Sequence, residues 1–204
     1  MQDVELHMDP AIAERNPSGI ALMHQLREPI RRPHLIGIDG RSGAGKTSLA
    51  GQLAQVLSVT RDVVVFHLED LYPGWDGLDR GIAMYEESIL SPLRDGRDAY
   101  WTAWDWLADS PGGPRLTRAA EIVVLEGVGA CSAPAREVLD VSVWVELPET
   151  QRRERALNRD SGFEPYWDMW AQQELHYLQR DPVWESATII QPGPTGCALG
   201  LTAR

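Results

Sequence analysis

Gly40-Arg41-Ser42-Gly43-Ala44-Gly45-Lys46-Thr47 is the stretch on which the reading of this chain turns. It fits the pattern G-x-x-x-x-G-K-[ST], which this composition would produce by chance on the order of once in a thousand such chains. Its lysine is the only one in the sequence, where every other basic charge at neutral pH is an arginine. The surroundings agree with the motif. An apolar run at 35–39 precedes it, and 47–57 follows with Leu49, Leu53, Val56 and Leu57 on one helical face. In a strand, glycine turn and helix so ordered, backbone N–H groups can turn inward on phosphate oxygens, and the helix dipole adds its positive end. Residues 40–48, Ser48 included, form the expected cradle. Lys46 reaches the outer phosphates, and the Thr47 hydroxyl is suited to Mg²⁺.

Beyond the loop the chain alternates short apolar runs with helical patterns. Strands are predicted at 35–39, 62–68, 121–126, 141–147 and 187–190, and their runs are apolar without clean alternation, as in strands covered on both faces. Such alternation gives an α/β fold with a parallel sheet and right-handed crossovers. A further helix is expected at 18–28, ended by Pro29. Residues 71–117, rich in Gly, Pro, Asp and aromatics, read as an irregular insertion on the substrate side. The expected organisation is one domain over 1–204, with that insertion and a lid at about 148–180.

Composition narrows the function classes. The 204 residues carry a net charge of −11, which repels nucleic-acid backbones and anionic membrane surfaces. No apolar run is long enough to span a bilayer. The acidic start is unlike an export signal, and two cysteines make neither a disulfide framework nor a four-ligand zinc site. The expected setting is cytoplasmic, without nucleic-acid or membrane partners.

In a parallel sheet, ligands gather beyond the carboxyl ends of the strands. The second predicted strand ends in Glu69-Asp70 and the third in Glu126-Gly127, so their carboxylates should meet the phosphate loop in one crevice. Glu69 or Asp70 suits the task of orienting a hydroxyl and accepting its proton; Glu126 suits Mg²⁺, together with Thr47. Residues 148–160 read as a helix with Pro148 in its first turn, on which Arg152, Arg155 and Arg159 share a face. Arg155 and Arg159 are candidates for neutralising charge on a transferring phosphoryl group. The aromatic run 100–106 is either packing or a stacking platform, and Trp104, Asp105 and Arg115 are its candidate substrate contacts. Trp167 and Trp170 read as core, and His67 as a satisfied structural histidine.

Taken together, these positions resemble the uridine kinases, with phosphoribulokinase and pantothenate kinase as more distant relatives, over about 35–160. The most telling segments are Leu68-Glu-Asp-Leu-Tyr72 and Ile122-Val-Val-Leu-Glu-Gly127. The resemblance implies a three-layer α/β/α P-loop fold with a five-stranded parallel sheet in 2-3-1-4-5 order. It also implies use of ATP and Mg²⁺ and phosphoryl transfer to a small-molecule hydroxyl. It puts Glu69 in the base position, where the family has aspartate, with Tyr72 as the accompanying tyrosine, Glu126 at magnesium, and Arg155 and Arg159-Asp160 in the lid. Trp104-Asp105-Trp106 stands where the family has a Tyr-Asp-Phe element, and Asp109 falls where a histidine is expected. A nucleoside is therefore the first acceptor expected. A non-nucleoside alcohol (a sugar, a pantothenate-like metabolite or an antibiotic) and a non-catalytic ATP-binding regulator are the alternatives.

Overall fold

The strands form where β-branched and aliphatic residues run together: His34–Asp39 (β1), Val63–His67 (β2), Ile122–Glu126 (β3), Val141–Val145 (β4) and Thr188–Ile190 (β5). The computed structural model describes residues 6–8, 33–192 and 201–203. The helix expected at 18–28 lies outside them. All five strands pair in parallel in the order β2-β3-β1-β4-β5, which is the expected 2-3-1-4-5. A separate two-stranded antiparallel pair joins Leu6–Met8 to Leu201–Ala203.

Alternating strand side chains feed two cores, one on each face of the sheet. On one face Ile36, Ile38, Val124 and Val143 pack with Leu49, Leu53 and Leu57 of helix α1, Lys46–Leu57. Truncating a fully buried leucine such as Leu53 to alanine should cost about 2–5 kcal/mol. On the other face Leu35, Val123, Leu125 and Trp144 join Leu78, Tyr85, Trp167, Trp170 and Tyr177. Those residues come largely from helices α2, Leu78–Tyr85, and α4, Trp167–Arg180. Helix, sheet and helix thus make the three layers, and Trp167 and Trp170 are core as expected.

The stretch 71–117 is more regular than its composition suggests. α2 continues through the wider turn Glu86–Leu90 into Ser91–Arg94, and an antiparallel hairpin follows, Ala99–Asp105 against Ser110–Thr117. Tertiary packing overrides the Gly and Pro content here, with Trp101 set edge-on to Phe66 of β2. The arginine-rich helix, α3, spans Glu149–Arg159, and Pro148 stands just before it in an extended conformation rather than in its first turn. A 3₁₀ segment, Ser161–Tyr166, links α3 to α4.

Register brings the strand ends level. Ile38 and His67 both lie opposite Glu126, and Asp39 lies opposite Trp144. The carboxyl ends of β1, β2 and β3 therefore open on one crevice.

Candidate active site

Helix α1 begins at the crevice with no side-chain cap and no acidic residue in its first turn. Its N-terminal N–H groups and positive dipole end are thus left for an external anion. Two glycines are required by the loop's path. Gly43 has φ +77°, and a Cβ there would stand 2.0 Å from the Arg152 carbonyl oxygen; Gly45 enters the helix at φ +105°. Ala44 is fully buried beneath the turn, and Lys46 spans it, Nζ donating to the Arg41 carbonyl at 3.2 Å.

The loop is clamped at its start and along its outer flank. At the start, the fully buried Asp39 accepts N–H bonds from Gly40 (2.7 Å), Gly129 (3.0 Å) and Cys131 (3.0 Å), and the Tyr177 hydroxyl donates to it at 3.0 Å. Burial pushes the Asp39 carboxyl up in pKa, against the pull of those N–H groups and of Lys46. Along the flank, buried Glu174 of α4 accepts from the Ser42 N–H at 2.7 Å, Arg41 Nε at 2.9 Å and Trp170 Nε1 at 3.1 Å. Arg152 completes this network. Its Nη1 donates to the Ser42 carbonyl at 3.1 Å and lies 4.0 Å from Glu174, and its Nε donates to the Leu147 carbonyl. Arg152 is thus turned inward as a buttress, away from any shared outward face with Arg155 and Arg159.

Opposite the loop, Thr47 Oγ1 donates to Glu126 Oε1 at 3.0 Å, and His67 Nδ1 lies 2.5 Å from the same oxygen. Burial pushes Glu126 up, but the bond from His67 and the charge of Lys46 outweigh it and hold the carboxyl below its ordinary value. The same bond raises His67, which is therefore tied to a candidate metal residue as well as to the sheet. Among the described residues no group of three or more His, Cys, Asp and Glu could hold a metal ion. A hydroxyl beside a single carboxylate fits Mg²⁺, which keeps water and substrate phosphate oxygens in most of its coordination positions.

Glu69 and Asp70 follow β2 directly on the short turn Leu68–Asp70, both exposed at the crevice. Desolvation raises Asp70 above the usual carboxylate range, while the charges of His67 and Arg115 oppose the rise. Arg115, on the hairpin, is thus near enough to Asp70 to act on it. The Glu69 carbonyl accepts Trp106 Nε1 at 3.1 Å, which ties the hairpin to this turn. Tyr72 is core: 3% exposed, its hydroxyl donates to the Val128 carbonyl at 2.8 Å. The Asp105 carboxylate closes the hairpin turn by accepting from the Leu107 and Ala108 N–H groups.

A cavity of about 440 Å³ opens between the loop after Tyr72, the hairpin tip and the start of α4, with Trp75, Trp104, Asp109 and Tyr166 among its walls. Trp104 reaches it, while Tyr72, Asp105 and Arg115 do not line it. Trp75 is the centre of an aromatic cluster, stacked on Tyr166 (4.4 Å between centroids, 4° between planes) and on Phe163 (5.2 Å), with Trp106 at 4.8 Å. Of the two arginines expected to face a phosphoryl group, Arg155 Nη1 lies 3.9 Å from the point where a Gly45 Cβ would stand, beside the loop. Arg159 ends α3 exposed, with no ion-pair or hydrogen-bond partner among the described residues.

Sequence reasoning passed over Asp39, Glu174, the His67–Glu126 contact and the cavity walls Trp75, Asp76 and Tyr166. Asp39 carried a readable signal, a carboxylate closing an otherwise apolar strand. Glu174 carried none, since it meets Ser42 from 132 residues away.

The sheet order, the glycine loop and the level strand ends define a P-loop kinase-like α/β protein. No family model matches the chain. A uridine kinase from Lactobacillus johnsonii is 26% identical over 146 residues, covering 64% of this chain and 69% of that protein. A protein described as a possible uridine kinase from Bacillus stearothermophilus superposes with a TM-score of 0.63 at 22% identity, over 86% of this chain and 98% of that one. A Silicibacter protein assigned as a fructose transport system kinase gives 0.51 at 17% identity, over 84% and 93%. By sequence the chain is similar to a uridine kinase, and by fold to P-loop kinases. Among the described residues no helix is long and apolar enough to cross a membrane.

Proposed function

We propose that this chain catalyses ATP-dependent phosphoryl transfer to a hydroxyl of a small molecule, in the cytoplasm and without a nucleic-acid partner. The observation that carries this reading is the convergence of Lys46, the Thr47–Glu126 pair and Asp70 where three strands end. The single domain with a substrate-side insertion and a lid, read from the sequence, belongs to the same proposal.

Lys46 and the N–H groups of the loop hold the phosphates and draw charge off them. Thr47 and Glu126 would hold Mg²⁺, which when bound neutralises charge on the phosphate oxygens. Asp70 accepts the acceptor's proton; burial raises its pKa, which makes it a better base than an ordinary aspartate. Glu69, its neighbour, is the alternative base. Arg155, close to the loop, supplies positive charge as the phosphoryl group moves, with Arg159 one turn on. The cavity beside Trp75 and Trp104 receives the acceptor, and its volume suits a nucleoside or a monosaccharide.

The test is ADP release from ATP over a panel of nucleosides, sugars and other alcohols. At least one acceptor should stimulate release, and Asp70→Asn with Glu69→Gln should lower it by about 10²–10⁴ with ATP binding retained. Tight ATP binding with no acceptor-stimulated ADP would identify a regulator instead.

A further inference from the structure

We infer that the acceptor is an alcohol carrying a protonated amine, an amino alcohol, amino sugar or aminocyclitol, whose ammonium sits between Asp76 and Asp109. The inference rests on the kinase reading above and narrows its substrate class.

The cavity's lining decides the ligand's charge. Asp76 and Asp109 are its charged residues, and no arginine or lysine lines it. A Cβ placed on Gly74 would stand 3.5 Å from Asp109 Oδ1 and 3.7 Å from Asp76 Oδ1, so both carboxylates flank the same short piece of backbone. They come from separate segments, the loop after Tyr72 and the hairpin tip. Three other exposed aspartates take arginines: Asp62 pairs with Arg118, Asp79 with Arg180, and Asp95 with Arg94 and Arg97. Asp76 and Asp109 have no ion-pair or hydrogen-bond partner among the described residues, despite the abundance of arginine.

The remaining walls suit a cation as well. Trp75, Trp104 and Tyr166 present aromatic surface, and a cation is drawn to the electron-rich faces of such rings. Met169 adds a polarisable apolar side. The Trp104 indole N–H is buried without a partner. A neutral sugar or a uracil ring would leave two carboxylates facing it without a positive partner. An ammonium group satisfies both. Trp106, which packs on Trp75 and donates to the Glu69 carbonyl, joins the cavity wall to the candidate base turn.

The experiment uses the full chain and matched pairs: glucosamine against glucose, an aminocyclitol against inositol, and ethanolamine against ethylene glycol. Calorimetry reads binding and ADP release reads turnover. At least one amine should bind about tenfold or more tightly than its neutral partner, and Asp76→Asn with Asp109→Asn should bring that ratio close to one. Both positions are exposed, so an unchanged Tm is expected and checks the fold of the variant. Equal binding within every pair, binding of none of the amines, or a ratio that survives the double substitution overturns the amine assignment. Absence of turnover with every acceptor overturns the kinase reading alone, because the binding ratio is measured without it.

Discussion

The two sides of the crevice are built from different materials. The phosphate side is polar and locked: Asp39, Glu174, Arg41 and Arg152 fix a tight glycine turn through hydrogen bonds and buried charge. The acceptor side is aromatic and assembled by stacking, with Trp75 gathering Trp106 from the hairpin and Phe163 and Tyr166 from the segment before α4. Hydrogen bonds to buried charges have strict geometry and leave a costly orphan when one partner is removed. Ring stacks tolerate small displacements and lose energy gradually. Under the proposed function, the locked side would take the triphosphate and the stacked side the acceptor.

That contrast can be broken at several points. Lys46→Met should have the largest effect, lowering acceptor-dependent ADP release by about 10³-fold; a loss under tenfold would mean that the loop does not carry the chemistry. Next comes Glu174→Ala, which leaves buried Arg152 and Arg41 without their carboxylate. It should cost about 3 kcal/mol, read in thermal unfolding as a Tm fall of roughly 10 °C. Tyr177→Phe removes one of four donors to Asp39 and should cost about 2 kcal/mol in denaturant unfolding. Trp106→Phe, on the acceptor side, should cost only about 0.5–1 kcal/mol while raising the acceptor KM several-fold and leaving the ATP KM in place. A stability loss at Trp106 as large as that at Glu174 would erase the distinction between the two sides.

The same division explains what could be read from the amino acids alone. The loop, its helix and the five strands are written in short-range patterns: glycines at fixed offsets, leucines one helical face apart, aliphatic runs ending in Asp39, His67 and Glu126. Parallel topology then carried those ends to one place. The hairpin at 99–117 was hidden because Pro111, Gly112, Gly113 and Pro114 sit within its second strand, where they usually argue against one. Arg152 looked like a member of an outward arginine row; only the packing of α3 against the loop turns it inward. The cavity was illegible for the same reason, since Asp76, Asp109 and Tyr166 meet only after the hairpin and α4 have docked.

The near-coplanar contact of Trp75 with Tyr166 also gives the molecule an internal optical gauge. The two rings belong to the loop that follows the candidate base and to the segment that leads from the arginine helix into α4. Any movement that lifts the second away from the first must part them, and the difference in tyrosine-sensitised emission between the natural chain and Tyr166→Phe would single this pair out among eight tryptophans.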